Sequence, residues 1–267
     1  MRFRLLVERD DGAADGASNM AVDEALLESA MLSDAIPTLR LYRFRRPTVT
    51  FGYAQDVVDA VNEAACRDHD IDWVRRITGG RALLHQHELT YSVTAPPFVG
   101  SVRATYRAVT GAIRSALERL RVPLDPPRQP ETIRAPRHLP CLAVPTGHEI
   151  TATGNKLVAS AMRFRRRGFL QHGSILWAVD HALWKKVTRL GEHDAMPAVG
   201  LSDLDGPAFG EDDLVESLSS AFEELLGEAP TPGSLSAVEV ARASELAEKY
   251  RSSGWTIHRL EAPIPIG

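Results

Sequence analysis

Cysteine and lysine are the scarce reactive residues of this 267-residue chain, and one of each is placed where group-transfer chemistry could use it. The cysteines are Cys66 and Cys141. Cys141 follows Pro140 in a proline-rich stretch from Val122 to Gly147 (Pro123, Pro126, Pro127, Pro130, Pro136, Pro140, Pro145) that is too long and irregular for a simple connector. Long loops inside compact domains tend to be functional or disordered. The lysines are Lys156, Lys185, Lys186 and Lys249, among 31 lysines and arginines in all. A guanidinium holds its proton where an amine can release it, so Lys156, at the mouth of a hairpin of small residues, points to a need for a titratable amine. Cys141 would then be a thiol activated by a neighbouring ammonium and able to form an acyl-thioester. The plainer alternative is a small buried hydrophobe, the reading given to Cys66. Spacing alone leaves the Cys141 to Lys156 distance open.

A second constellation is Arg75-Arg76-Ile77-Thr78-Gly79-Gly80-Arg81, followed by His85 and by Glu88 to Val93. Ile71 to Val74 favours a strand and Leu89, Tyr91 and Val93 alternate, so the pattern is strand, glycine bend, strand. A Walker or Rossmann phosphate loop requires a helix directly after its glycines, which is lacking here. There remains a Gly-Gly bend where a ligand can approach bare backbone, with Arg75, Arg76 and Arg81 suited to a carboxylate, a phosphate or a polar acyl-carrier group. A solvated hairpin with surface arginines fits the same residues, and both readings stand at this point.

The positioning elements follow in order. Phe3 to Val7 reads as a strand, and Ser18 caps a helix from Asn19 to about Leu32. Thr38 to Phe44 and Thr48 to Phe51 read as strands, then a helix from Asp56 to Asp68. Ser101 caps a strongly periodic helix that runs to Pro123 and should pack across the sheet. His148 to Thr153, a Gly154-Asn155 turn and Lys156 to Met162 form a hairpin. Phe169 to Leu176 adds a strand beyond the Arg165-Arg166-Arg167-Gly168 turn. Helices follow at Asp180 to Leu190, Glu211 to Leu226 and Ser236 to Tyr250, and Pro263 to Ile266 ends the chain in extended form.

Composition bounds the function. With 44% hydrophobic and 25% charged residues the chain is ordinary globular protein, read as one domain, 1–267, with a helical C-terminal part from about 180. A net charge of -4 gives no global attraction to nucleic acid. No signal-peptide pattern or bilayer-spanning run is apparent, which together with two cysteines leads to the expectation of a cytoplasmic protein. The Cys and His spacing gives no metal site.

Asn19 to Leu27, Leu39 to Pro47, Arg75 to Ala82 with His85 and Glu88 to Val93, Gly154 to Ala161, and Gln171 to Leu176 together resemble, in the same order, the biotin/lipoate protein ligase superfamily. Within it the resemblance is to the cysteine-dependent octanoyltransferases. It covers most of the first 180 residues; the C-terminal third adds little. The resemblance implies an α/β (α+β) fold, a mixed, curled sheet with flanking helices around an acyl tunnel. It implies Cys141 as nucleophile and Lys156 as the residue that contacts the acyl carbonyl and activates the thiol. Arg75, Arg76, Thr78, Gly79, Gly80, His85, Ser160, His172 and Gly173 would bind substrate.

The implied reaction transfers an octanoyl or lipoyl group from octanoyl-acyl-carrier protein to a lysine of an apo lipoyl domain, such as glycine cleavage H protein or a 2-oxoacid dehydrogenase E2. No cofactor is expected. Alternatives are an amidotransferase between lipoyl-domain proteins, an ATP- and Mg-dependent lipoate ligase, and a non-catalytic acyl-binding module. Arg81 stands where the ligases usually carry a third glycine, and its bulk would crowd a nucleotide. Ala159 replaces a glycine and would narrow the acyl channel. An Arg-rich turn, Arg163 to Arg167, with Arg134 and Arg137, is expected as a basic rim at the tunnel mouth that steers acidic carrier proteins.

Overall fold

The computed structural model describes residues 3–9, 12–127, 149–189, 198–206 and 208–260. Cys141, Arg134, Arg137 and the extended C-terminal segment expected at Pro263 to Ile266 lie outside them.

The chain opens with strand β1 (Arg4–Val7) and helix α1 (Gly16–Ser29). The helix starts earlier than its Ser18 cap would require, because Asp15 takes the capping role and accepts from the Ser18 N–H at 2.7 Å. Then come β2 (Thr38–Tyr42) and β3 (Thr48–Phe51). The helix expected over Asp56 to Asp68 is two short ones, α2 (Val57–Ala60) and α3 (Glu63–Asp68). Val61 is extended to bridge Thr188, and the Asn62 side chain opens the second helix by accepting from the Ala65 N–H.

Next are β4 (Asp72–Arg75), β5 (Leu83–His85), β6 (Glu88–Ala95) and α4 (Val102–Arg119), the last capped by Ser101 as its sequence requires. Strands β7 (Ile150–Ala152), β8 (Asn155–Phe164) and β9 (Phe169–Leu176) form a meander. The first turn residues are Thr153 and Gly154, both with positive φ, rather than Gly154 and Asn155; Asn155 already pairs with Ala152. The remainder is α5 (His181–Val187), α6 (Glu211–Leu226), a short edge strand β10 (Thr231–Pro232), α7 (Ala237–Arg251) and α8 (Ser253–Thr256).

The expected mixed sheet with flanking helices is present, divided in two. A seven-stranded sheet has the order β10-β1-β2-β6-β9-β8-β7, and a three-stranded one the order β4-β3-β5. The strands on either side of the glycine bend therefore never pair with each other; β4 runs parallel to β3 on one side and β5 antiparallel on the other.

Period-2 alternation divides the labour of the large sheet. Leu39, Leu41, Leu89, Tyr91, Val93 and Ile175 pack against Val109, Ile113 and Leu117 of α4 and Leu214, Leu218 and Phe222 of α6. On this face Ser217 Oγ donates to the Ala116 carbonyl at 2.8 Å, tying α6 to α4. The opposite face carries Arg40, Tyr42, Thr90, Ser92, His172 and Ser174, all buried. Helix α1 covers part of it and α7 packs on α1, with Lys249 paired to Glu24 at 2.8 Å across the two helices. The small sheet has its own core of Val49, Phe51, Val57, Cys66, Leu84 and Val187. Among the described residues no helix is long and apolar enough to cross a membrane.

Candidate active site

Between the polar face of the large sheet, the small sheet and α5 lies a narrow cavity that opens to solvent. Met20, Tyr42, Leu83, Ala161, Leu176 and Trp184 give it an apolar lining suited to an alkyl chain. Lys156, Arg76, Arg81, His85 and His172 stand in its wall, and no aspartate or glutamate does so among the described residues.

Lys156 reaches this wall because of a bulge. Ile150 pairs with Val158 but Thr151 with Lys156, so Leu157 is an extra residue on β8. Leu157 and Val158 both enter the core beneath α4, which resets the alternation and turns Lys156 to the same side as Ala159 and Ala161. In an unbroken strand Lys156 and Ala159 would look to opposite faces. Lys156 is 7% exposed, and its Nζ lies 2.6 Å from Glu149 Oε1.

The two histidines are built alike. His172 Nδ1 lies 2.9 Å from Asp23 Oδ2 and its Nε2 lies 2.7 Å from Thr78 Oγ1. Burial pushes the Asp23 carboxyl up, but the His172 hydrogen bond and the Arg40 charge outweigh it and hold the group below its ordinary value. An ionised carboxylate can only accept, so His172 carries its proton on Nδ1 and Nε2 accepts from Thr78. Burial keeps the imidazole pKa below its usual value, against the pull of Asp23. At His85, Nδ1 faces Glu88 Oε1 at 2.9 Å and Nε2 faces Thr50 Oγ1 at 2.8 Å.

The adjacent arginines have different tasks. Arg75 does not line the cavity. Its guanidinium donates to the carbonyls of Gly52, Tyr53, Gln55, Thr256 and Ile257, and Trp255 Nε1 donates back to the Arg75 carbonyl at 3.0 Å. Arg76 does line it, donating to Thr50 Oγ1 at 2.7 Å and to the carbonyls of Gly79 and Arg81. Burial brings both guanidinium groups down to about 10. The reading of this stretch as a solvated hairpin fails, since Arg75 is fully buried and Arg76 is 7% exposed.

The Gly79-Gly80 turn rests on Gly52. A Cβ at Gly52 would stand 2.0 Å from the Gly80 carbonyl oxygen, and Gly80 itself has φ 96°.

Of the residues singled out from sequence, Arg76, Gly80, His85, Lys156, Ser160, His172 and Gly173 meet at the cavity. Ser160 has its hydroxyl on the other side of the sheet, 2.7 Å from Tyr91 Oη. Thr78 stands behind His172, and Arg75 and Gly79 are not part of the wall. Cys66 is buried with its thiol pushed up to about 11 by burial and Glu63, consistent with a packing role.

The arginine turn is displaced from its expected place. Lys156 and Arg165 stand at opposite ends of β8, roughly 30 Å apart at a strand's rise per residue, so the turn does not rim the Lys156 end of the cavity. Sequence reasoning missed Asp23, Thr50, Trp184 and Glu149. Asn19 and Asp23, one helical turn apart on the buried face of α1, were the available signal for Asp23.

The lipoyl protein ligase A/B catalytic domain model matches residues 15–222, most of the chain. The chain belongs to that family. Two relatives named octanoyltransferase LipM support the match at full length. That of Kyrpidia tusciae is 36% identical, with 93% of this chain and 97% of the relative covered, and that of Moorella thermoacetica is 33% identical, with 96% and 98% covered. Among solved structures, lipoate-protein ligase A bound with ATP has a TM-score of 0.82 at 23% identity, covering 97% of this chain and all of the other. The bipartite lipoate protein ligase of Thermoplasma acidophilum, studied with its E2 lipoyl domain, has a TM-score of 0.80 at 21% identity, with 99% of each chain covered. These two likenesses establish that the family fold extends through β10, α7 and α8, beyond the stretch that the family model matches.

Proposed function

We propose that this member of the lipoyl ligase family is a protein octanoyltransferase of lipoate biosynthesis, acting as a single catalytic domain with a lipoyl domain as acceptor. The observation that carries the reading is Lys156, turned by the β8 bulge into an apolar cavity whose described wall lacks carboxylates. The full-length match to octanoyltransferases supports it.

The Cys141 thiolate attacks the thioester carbonyl of octanoyl-acyl-carrier protein and expels the carrier thiolate, leaving an octanoyl-thioester on the enzyme. A lysine amine of the apo lipoyl domain then attacks that carbonyl. The amide forms, the amine gives up its proton to water, and Cys141 leaves as thiolate. Lys156 and the backbone N–H of Gly80, both in the cavity wall, are the candidates to hold the oxyanion. The chain on both sides of the cysteine segment is anchored at the β7–β8 hairpin, which supports Cys141 as the nucleophile. Asp125 bonds to the Thr151 carbonyl and the Gly154 N–H, and Glu149 to Lys156.

Arg81 in the cavity wall supports a reaction without nucleotide, as does the octanoyltransferase name of the relatives. The sparse cysteines support a cytoplasmic setting.

Intact-protein mass after mixing with octanoyl-acyl-carrier protein, without nucleotide, tests the proposal. An octanoyl adduct mapping to Cys141, lost in Cys141→Ala together with transfer, is the expected result. Full transfer by Cys141→Ala would overturn it. An adduct formed only from an octanoylated lipoyl-domain donor would make the protein an amidotransferase, and transfer only from octanoate with ATP and Mg would make it a ligase.

A further inference from the structure

We propose that Glu149 is the positioning residue of Lys156, holding its ammonium at the acyl carbonyl; the proposal rests on the octanoyltransferase reading. Lys156 is 7% exposed, and a buried ammonium needs a counter-charge. A lysine is also a point charge on a four-carbon stem with three rotatable donors, so a fixed partner is needed to define where the remaining donors aim. Glu149 Oε1, 2.6 Å from Nζ, provides both in a charge-assisted hydrogen bond.

The arrangement repeats one already present at this cavity. The two histidines and the lysine of the wall are each held by a carboxylate that stands outside it: His172 by Asp23, His85 by Glu88, and Lys156 by Glu149. The anions orient the bases while the described wall itself stays free of negative charge, which favours an electron-rich acyl oxygen. Glu149 is the most exposed of the three, at 23% of its side chain, and stands one residue before β7. A carboxylate that merely stapled β7 to β8 would duplicate the work of the Thr153-Gly154 turn and of the Asp125 bonds to Thr151 and Gly154.

The test compares wild type with Glu149→Gln, Glu149→Asp, Lys156→Ala and the Glu149→Gln/Lys156→Ala double variant. Glu149→Gln should lower kcat about 10- to 100-fold, with KM for octanoyl-acyl-carrier protein and Tm nearly unchanged, and Glu149→Asp should recover part of the loss. In the Lys156→Ala background Glu149→Gln should cost nothing further. Unchanged kcat, a loss that adds independently to that of Lys156→Ala, or a loss of activity matched by a loss of Tm would overturn the proposal.

Amine labelling with acetic anhydride, read by peptide mass, keeps the two readings separable, because it needs no acyl donor. Lys156 should label faster in Glu149→Gln while Lys249, still paired with Glu24, stays at its wild-type rate. Faster labelling in an enzyme that accepts no octanoyl group would sink the functional reading alone; unchanged labelling would sink the Glu149 assignment alone.

Discussion

Two arginine clusters beside glycine turns, Arg75 to Arg81 and Arg163 to Arg167, look alike in sequence and differ in almost every physical respect. Arg75 and Arg76 are buried and make hydrogen bonds to seven carbonyls between them, whereas Arg165, Arg166 and Arg167 are exposed. The first cluster follows a strand enclosed between β3 and α8; the second tops a two-stranded hairpin whose turn is closed by the Arg165 N–H to Gly168 carbonyl bond at 2.8 Å. The cost of burying a guanidinium is met only where the fold supplies fixed acceptors, so the number of carbonyls within reach separates a structural arginine from a solvated one.

Removing Arg75 should produce the largest change. Arg75→Ala strands the five carbonyls that the guanidinium serves, while the Trp255 bond to the residue-75 backbone carbonyl survives, and the expected loss is about 3 kcal/mol or more, measured by urea denaturation. A loss below about 1 kcal/mol would mean the carbonyls find water instead.

Arg76→Lys comes next. A lysine cannot serve Thr50 and the two carbonyls of the glycine turn together, so kcat/KM for octanoyl transfer should fall roughly 10-fold or more while the protein still folds. Wild-type turnover would detach this residue from the site.

Acid sensitivity separates the clusters further, because the buried one adjoins His172 through Thr78. The folded-state pKa of His172 is depressed by burial, so below its ordinary value near 6.5 the unfolded chain takes up a proton that the folded protein refuses. Stability from this group is therefore complete above that pH and declines as pH falls, by at most about 1.4 kcal/mol per unit. Asp23, also depressed, contributes above the ordinary carboxylate range and loses that contribution only as pH drops through its lower folded value. Urea titrations at pH 7 and 5 should show a smaller pH effect in His172→Gln than in wild type; equal slopes would locate the sensitivity elsewhere.

The smallest effect belongs to the exposed turn. Arg165→Glu with Arg166→Glu should change stability by less than about 0.5 kcal/mol and KM for carrier protein by less than about twofold. A large KM increase, absent with a small acyl thioester, would show that a docked carrier reaches across the length of β8.

Much of the frame was legible because local chemistry writes it. The bounds of β3, β9 and α6 match their sequence reading, and Ser101 caps α4 as expected. At the site, motif order located Lys156, Arg76, His85 and His172 at the cavity. Glu149 gave no signal, because a glutamate before a strand looks like any surface charge until its partner is buried. Arg75 misled for the opposite reason: adjacency to Arg76 suggests a shared task, yet in a strand neighbours point to opposite faces.

What the sequence determined by itself was therefore the periodic and the capped: which segments are strands or helices, and which residues within each segment share a face. Tertiary structure decided how those faces meet. The glycine bend joins two strands that pair with β3 instead of each other, which no hairpin pattern announces. Above all, the unmatched Leu157 inverts the alternation of β8 and carries Lys156 from the core side to the cavity. Leu157 and Val158 are both apolar and both fit a strand, so nothing local marks the extra residue. It is specified only when Ile150 on the neighbouring strand and the packing beneath α4 require both side chains on the same side.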